Sequence, residues 1–168
     1  MKNLSKLCPW YVTGLVDAEG CFYVTFQKHS ECSTGWNVRA GFSIGMHTRD
    51  KALLEQIKLY FGVGEIFKHS KNAYQYRVTS LKDLISVIIP HFIKYPLITQ
   101  KWADFKLFKQ VVCLMNQRKH VTPEGLQQII NIKAVLNSGL SDTLKVAFSN
   151  INPVTRPLVD FKGIPDPS

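Results

Sequence analysis

The chain has 168 residues, of which 45% are apolar, so it can bury one core of ordinary size. Its 21 lysine and arginine residues outnumber the 12 aspartate and glutamate residues, and the formal net charge of +9 favours a polyanionic partner. This balance excludes an acidic disordered chain. No apolar stretch approaches the roughly 20 residues that cross a bilayer, and Met1 to Trp10 lack an apolar signal-peptide core. We therefore expect no membrane partner.

The first part of the chain predicts one helix and two β-hairpins. An apolar helical segment runs from Trp10 to Gly20. Apolar and polar residues then alternate over 21–28 and 37–46, which is typical of half-buried strands joined by a polar loop. The same alternation over 65–69 and 74–79 predicts a second hairpin. Together the four strands would present one apolar face and one polar face.

Helical spacing recurs between the hairpins and directly after them. Apolar residues recur at this spacing from Leu53 to Phe61, and Gly62 is expected to end the helix. Ser80, followed three residues later by Asp83, resembles a capping box. It opens a second helix that Pro90 should terminate, because proline cannot donate the backbone hydrogen bond that a helix interior requires.

The second half of the chain is predicted to be helical. A long helix carries apolar residues from Trp102 to Met115, Thr122 caps another helix, and Ser141 opens a short last one. The order of helix, hairpin, helix, hairpin and further helices predicts an α+β fold with one domain over residues 1–150. The proline-rich residues 151–168 predict a C-terminal arm or linker.

Two carboxylates occupy the last turn of the first predicted helix. Asp17 and Glu19 precede Gly20, at the helix end where the macrodipole disfavours negative charge. A solvated helix end is the usual explanation of paired acids. A hard divalent cation, held by carboxylate and backbone carbonyl oxygens, is the functional alternative. Small residues at Thr13 and Gly14 would also let another helix approach closely.

These residues form a motif that resembles a known family. Residues 12–20 read VTGLVDAEG and closely resemble the LAGLIDADG motif of homing endonucleases, with Gly14, Asp17, Glu19 and Gly20 at matching positions. The predicted order of elements is also that of the family, so the resemblance covers essentially the whole chain. The stretch 94–101 further resembles the fungal mitochondrial branch.

The resemblance implies a fold, a reaction and a site. The motif helix would precede a four-stranded antiparallel sheet backed by helices, and the protein would hydrolyse phosphodiester bonds of double-stranded DNA with Mg²⁺ or another divalent cation. Glu19 would be the catalytic metal ligand, and Ala18 would add its backbone carbonyl. Thr13, Gly14 and Asp17 would lie at a dimer interface. Lys101 would lie at the periphery of the site, although phosphate contact or simple solvation explain that lysine equally well.

The polar strand face is the candidate DNA-binding surface. A two-stranded β-ribbon fits the major groove, where Arg39 and Arg77 suit guanine while Gln27, Asn37 and Gln75 suit adenine. Lysines near strand ends more naturally meet phosphates. An ordinary solvated sheet face is the alternative. The predicted DNA-binding residues are Cys21, Tyr23, Thr25, Gln27, Lys28, Asn37, Arg39, Ser43, Phe67, Lys68, His69, Gln75, Arg77 and Thr79.

Cutting both DNA strands requires two active sites, whereas this chain has a single motif. The expectation is a homodimer on a long near-palindromic site, or else one half of a two-motif protein. Residues 163–168 resemble the lead-in to a second motif helix, which favours the half. The alternatives are an intron RNA maturase, a non-cleaving DNA-binding half-domain or a protein interaction module. A mitochondrial location is implied by the resemblance alone.

Overall fold

A computed structural model describes residues 6–159 of the chain. Helix α1 spans Pro9–Glu19 and leads directly into strand β1 at Gly20–Lys28. The remaining strands are β2, Trp36–His47; β3, Glu65–Ser70; and β4, Ala73–Val78. The remaining helices are α2, Lys51–Phe61; α3, Leu81–Asp83; α4, Ile89–Lys94; α5, Lys101–Asn116; α6, Pro123–Lys133; and α7, Asp142–Ala147.

The four strands form one sheet in the order β1, β2, β4, β3. Strand β4 is antiparallel to both of its neighbours, and the seven-residue connection between β1 and β2 is too short for a parallel crossover. The predicted hairpins are therefore confirmed, and they join through β2 and β4. The chain packs into two compact units, one of residues 6–21 and 41–97 and the other of residues 22–40 and 98–159.

The core of the first unit lies between α2 and the strands. Leu54, Ile57 and Phe61 of α2 are buried, as their helical spacing predicts. The ring of Phe42 from β2 lies 6.1 Å from that of Phe61. The helix ends at Gly62, whose φ of 71° lies in the left-handed region that glycine adopts without strain. The local sequence signal for this helix end is confirmed.

The prediction that Pro90 terminates its helix is wrong. Ser80 caps α3 as expected, its hydroxyl accepting a hydrogen bond from the backbone N–H of Asp83. A π-helical turn then occupies Leu84–Ile88, and α4 follows with Pro90 in its first turn. The wider π-helical turn resolves the clash between a proline ring and the preceding turn, and a residue in the first turn of a helix needs no N–H donor. The backbone therefore remains helical through the proline.

The second unit is held together by helices packed on β1. Phe22 is fully buried, with its ring 5.3 Å from those of Phe105 and Phe108 on α5. Asn137 donates a side-chain hydrogen bond of 2.7 Å to the carbonyl oxygen of Phe22, which fastens the segment after α6 to the strand. Thr122 caps α6 by accepting from the N–H of Gly125, as its position before a proline predicts.

The predicted arm begins in contact with the second unit. Over 151–159 the chain forms no helix or strand, but Arg156 Nη1 lies 2.7 Å from Asp104 Oδ1 and donates to the carbonyl oxygen of Val135. Its Nη2 donates to the carbonyl oxygen of Gln100. The rest of the arm, including residues 163–168, lies outside the described residues. Within residues 6–159, no helix is long and apolar enough to cross a membrane.

Substitution of Phe22 by alanine tests the core of the second unit. Removing a fully buried ring leaves a cavity between two phenylalanines, so we expect the free energy of unfolding to fall by about 3 to 5 kcal/mol. Thr25→Ala on the exposed face of the same strand is the control and should cost about 0.5 kcal/mol or less. Urea unfolding measures both, and equal losses for the two variants would contradict this packing.

Candidate nucleic-acid interface and metal site

The inner face of α1 is fastened by a chain of hydrogen bonds. The hydroxyl of Thr13 donates to the backbone carbonyl oxygen of Tyr95 at 2.9 Å and lies 3.2 Å from Nε2 of His91. A hydroxyl has one proton to give, so His91 donates to Thr13 through Nε2 and accepts from the Tyr60 hydroxyl, 3.2 Å away, at Nδ1. Thr13, His91 and the rings around them thus tie α1 to α2 and α4.

The structure corrects the placement of Thr13 at an interface. Its side chain is 3% exposed and is engaged by His91 and Tyr95, so it is not available to a second helix. The physical reason is helical geometry. Thr13 lies next to Val12 and one turn before Val16, and these buried residues define the inner stripe of the helix.

The outer face of α1 is exposed and lined by small residues. Gly14 and Ala18 lie one turn apart on this face, beside Tyr11, which is 48% exposed. A Cβ atom placed on Gly14 would meet nothing within 4 Å. No neighbouring residue in this unit therefore requires a glycine at position 14. The open space above Gly14 would allow another helix to approach closely. Asp17 lies at the edge of this face and is half-buried.

Glu19 is the last residue of α1, and its side chain is exposed. The chain turns into an extended conformation at Gly20, which passes so close to the preceding turn that a Cβ there would lie 2.5 Å from Cγ1 of Val16. Only glycine allows this abrupt change from helix to strand. The arrangement presents the Glu19 carboxylate at a helix end, next to the exposed residue Ala18.

The donor set on this chain is incomplete for a divalent cation. Among residues 6–159, no group of three His, Cys, Asp or Glu side chains could hold a metal ion. The Glu19 carboxylate and the Ala18 carbonyl suit a hard cation, which takes about six oxygen ligands. They therefore fit only as part of a site, and its other ligands would have to come from outside these two residues.

Lys101 is the first residue of α5, in the second unit, and is half-buried. Its backbone N–H donates to the hydroxyl of Thr99 at 3.2 Å, which fixes the start of the helix. The catalytic role of Lys101 stays a prediction.

The polar strand face of the first unit carries a connected set of side chains. Gln75 donates to the hydroxyl of Ser43 at 3.2 Å and accepts from Nε of Arg77 at 2.5 Å. The guanidinium carbon of Arg77 lies 5.5 Å from the centre of the Phe67 ring. Ser43 was predicted to be a DNA-binding residue, but it is 2% exposed and is not accessible on this face. It lies beneath Gln75 and supports that amide instead.

Other predicted DNA-binding residues of the first unit are accessible. Cys21, Lys68, His69 and Thr79 are exposed, and Thr79 lies just past the end of β4. Strand β3 shifts register between Lys68 and Ser70, which redirects the side chains at its end.

Residues 22–40 of the first hairpin belong to the second unit. Its predicted DNA-binding residues follow the expected alternation, because Phe22, Val24 and Val38 are buried while their neighbours face outward. The ammonium group of Lys28 lies 5.8 Å from the Trp36 ring. Exposed residues of this set are Thr25, Gln27, Lys28 and Arg39, and half-buried ones are Tyr23 and Asn37.

One part of the site region, formed by His91, Tyr60 and Tyr95, has no counterpart among the residues that the sequence predicts. No sequence signal links Thr13 to a histidine 78 positions later, and a single histidine on a predicted helix is usually unremarkable. The consequence is electrostatic as well as structural. Burial lowers the pKa of His91 from its usual value near 6.5 to about 4.

The depressed pKa of His91 predicts acid sensitivity. The folded state keeps this ring neutral while the unfolded chain protonates it below pH 6.5, so stability is full above pH 6.5 and falls towards pH 4. One pKa unit corresponds to about 1.4 kcal/mol, so the loss is on the order of 3 kcal/mol. Urea unfolding between pH 4 and 7 should show a shallower pH dependence for His91→Gln than for the wild type. Burial also lowers the pKa of His120, which both proteins share, so parallel curves would contradict the role of His91.

A family model described as LAGLIDADG endonuclease matches residues 12–112. A probable intron-encoded endonuclease 2 of Neurospora crassa is 47% identical over 152 residues, which cover 89% of this chain and 34% of that protein. An uncharacterised protein in ND4 intron 1 of Podospora anserina is 46% identical over 121 residues, covering 71% of this chain and 27% of that protein. The chain thus spans about a third of the length of these curated relatives.

A solved structure shows the same fold. I-SmaMI, bound to an uncleaved DNA target in the presence of calcium ions, is 45% identical to this chain and gives a TM-score of 0.93. The match covers 96% of this chain and 55% of that one. The α+β fold expected from the resemblance, with a motif helix before a four-stranded antiparallel sheet, is confirmed. The chain belongs to the LAGLIDADG endonuclease family.

Proposed function

We propose that this chain is a site-specific endonuclease for double-stranded DNA, which acts as a homodimer with Mg²⁺ or another divalent cation. The proposal rests on which residues of α1 are buried and which are exposed, in a chain that belongs to this family. The inner face of α1 is buried, and its outer face carries the small, exposed residues Gly14 and Ala18. The helix ends at Glu19, whose carboxylate is exposed. Two such helices, packed face to face, would bring two carboxylates together.

The chemistry follows from these donors. A bound divalent cation supplies charge stabilisation and an activated water for hydrolysis of a phosphodiester. Glu19 would hold it through a carboxylate oxygen and Ala18 through its backbone carbonyl. Lys101 would contribute positive charge at the periphery of the site. The second copy completes the arrangement, because cutting both strands takes two active sites and one chain offers one motif.

The DNA surface is proposed on charge and geometry. The net charge of +9 attracts a polyanion, and the exposed Lys28 and Lys68 near strand ends suit phosphates. Exposed polar side chains on the strands, among them Thr25, Gln27 and Arg39, suit base edges in the major groove. I-SmaMI, which shares the fold, has been solved on a DNA target. These features together favour sequence-specific duplex binding over an ordinary solvated face.

A mitochondrial site of action is part of the proposal. The relative in Podospora anserina is described as a protein in ND4 intron 1, and the one in Neurospora crassa is described as intron-encoded. The stretch 94–101 resembles the fungal mitochondrial branch of the family. We therefore infer that the chain derives from a mitochondrial intron and acts on mitochondrial DNA.

Substitution of Glu19 by glutamine should abolish cleavage and spare binding. The change removes the anionic ligand but keeps the size of the side chain, and we expect Mg²⁺-dependent cleavage to fall about 100-fold or more, since losing even outer partners of metal ligands costs about 10- to 100-fold. The effect is measured as cleavage and binding of duplexes that the wild type selects from a randomised pool. Glu31→Gln, which removes the same charge from an exposed loop, is the control. Undiminished cleavage by Glu19→Gln would contradict the proposed site.

Substitution of Gly14 by leucine should separate the subunits without unfolding them. Space is open above Gly14, and leucine has the higher helix propensity, so the free energy of unfolding of the monomer should not fall. Packing against a second helix would be blocked. On a duplex of known mass, light scattering should show an added mass of twice 19.1 kDa for the wild type and of a single chain for Gly14→Leu. Gly14→Ala, which adds one methyl group, is the milder control, and an unchanged dimer in Gly14→Leu would contradict this interface.

One observation favours a second candidate function. Since the chain spans about a third of its curated relatives, it also suits one half of a longer two-motif protein. Such a half would bind without cutting both strands, as a DNA-binding half-domain or as part of an intron RNA maturase. A wild-type monomer that binds a duplex or its intron RNA, but leaves DNA uncut, would favour this second candidate over the homodimeric nuclease.

A further inference from the structure

We infer that Gln75 and Ser43 act together to position Arg77 as the side chain that selects one guanine, and that Gln75 does not itself read an adenine. The inference rests on the proposed function and deepens it. Two residues, one of them nearly buried, thus have a positioning role, and Gln75 has a different role from the one that the sequence suggests. The cluster of Ser43, Gln75, Arg77 and Phe67 lies wholly within the first unit.

The orientation of the Gln75 amide is determined by its neighbours. Arg77 Nε carries a proton and can only donate, so the group facing it must be the amide oxygen. The amide nitrogen then donates to Ser43 Oγ at 3.2 Å. The hydroxyl that accepts this bond is 2% exposed and cannot swing towards solvent. Gln75 has thus committed one donor and one acceptor within the protein, which disfavours the two-point contact that adenine recognition uses.

The backbone register makes this arrangement possible. Arg77 of β4 lies opposite Ser43 of β2, and Gln75 lies opposite Gly45. A Cβ atom on Gly45 would meet nothing within 4 Å, so the space above this glycine is open. Gln75 reaches diagonally to Ser43 beside it. A larger residue at Gly45 would compete with the Gln75 amide for the same face of the sheet.

Arg77 is held on two sides and keeps its terminal fork. Its Nε is fixed by Gln75, and its guanidinium carbon lies 5.5 Å from the Phe67 ring, within the range of a cation–π contact. Glu65, which lies opposite Arg77 in register, is 2.7 Å from Lys58. Among the described residues, no carboxylate forms an ion pair with Arg77. The two terminal nitrogens therefore remain for the O6 and N7 acceptors of guanine.

The same contacts give Phe67 a function. This ring is 48% exposed on an otherwise polar strand face, where an apolar side chain gains little from burial. Beside Arg77 it restricts the guanidinium plane and shields it from water. A side chain ordered before binding loses less conformational freedom on binding, so preorganisation increases discrimination between bases.

Binding selection tests the inference. The wild type, Arg77→Ala, Gln75→Ala and Ser43→Ala are each equilibrated with a pool of randomised duplexes without divalent metal, so that cleavage does not deplete the pool. We expect one guanine position whose preference falls about 10-fold or more in Arg77→Ala. Gln75→Ala should lower the preference at that same position about threefold or more, and Ser43→Ala should do so less strongly. Other positions should keep their preference.

Two further variants separate positioning from general loss of affinity. Gln75→Glu still accepts from Arg77 Nε, so it should restore the guanine preference while its negative charge weakens binding to every duplex. Lys68→Ala is the control for a phosphate contact and should weaken binding uniformly and reduce the salt slope by about 1, with no change in base preference. The nuclear Overhauser effect of the Arg77 Nε–H in the free protein should report an ordered group that becomes mobile in Gln75→Ala.

The outcomes distinguish the inference from the function on which it rests. Enrichment of no sequence by the wild type would overturn the proposed function and the inference with it. Enrichment in which Gln75→Ala keeps the guanine preference, or loses an adenine at a separate position, would overturn the inference alone. A mobile Arg77 Nε–H in the free wild type would equally overturn it, whatever the duplexes show.

Discussion

The hydrogen-bond chain from Tyr60 through His91 to Thr13 is the constraint on which the rest of the site depends. It fixes which side of α1 faces the core, because Thr13 is engaged from two directions and cannot rotate outward. The cost is a buried polar group that must stay satisfied and, for His91, neutral. Once α1 is fixed in rotation, the positions of its small outer residues and of Glu19 follow from helical periodicity alone.

The same division between buried support and exposed function recurs on the sheet. Thr13 on the inner face of α1 and Ser43 on the sheet are both small hydroxyl residues and both nearly inaccessible, and they are hydrogen-bonded to the side chains of His91 and Gln75, respectively. Thr13 fixes the rotation of the helix that presents Glu19, and Ser43 holds the Gln75 amide that contacts Arg77. This arrangement keeps functional side chains on regular elements, where small changes of backbone shift them least.

Local signals made most of the fold predictable from sequence, whereas contacts between distant residues escaped it. Alternation predicted the hairpins, and Gly62 and Thr122 marked helix ends because their effects lie within a few residues. Thr13 was misplaced because its partner lies 78 positions away, and a small residue suits a helix interface as well as a hydrogen bond. The predicted helix end at Pro90 was wrong because the π-helical turn that accommodates the proline has no sequence signature. Periodicity predicted that Ser43 lies on the polar face of the sheet, but not that Gln75 is hydrogen-bonded to it.

In the proposed dimer, each motif helix supplies one carboxylate to the cutting of one strand. To test this claim, two copies are linked in tandem, and cleavage of each DNA strand in Mg²⁺ is resolved on a duplex that the wild type selects. With both copies wild type, both strands should be cut. With Glu19→Gln in one copy, we expect a nick in a single strand, and with both copies changed, no cleavage. Equal cutting of both strands by the mixed tandem would contradict the claim.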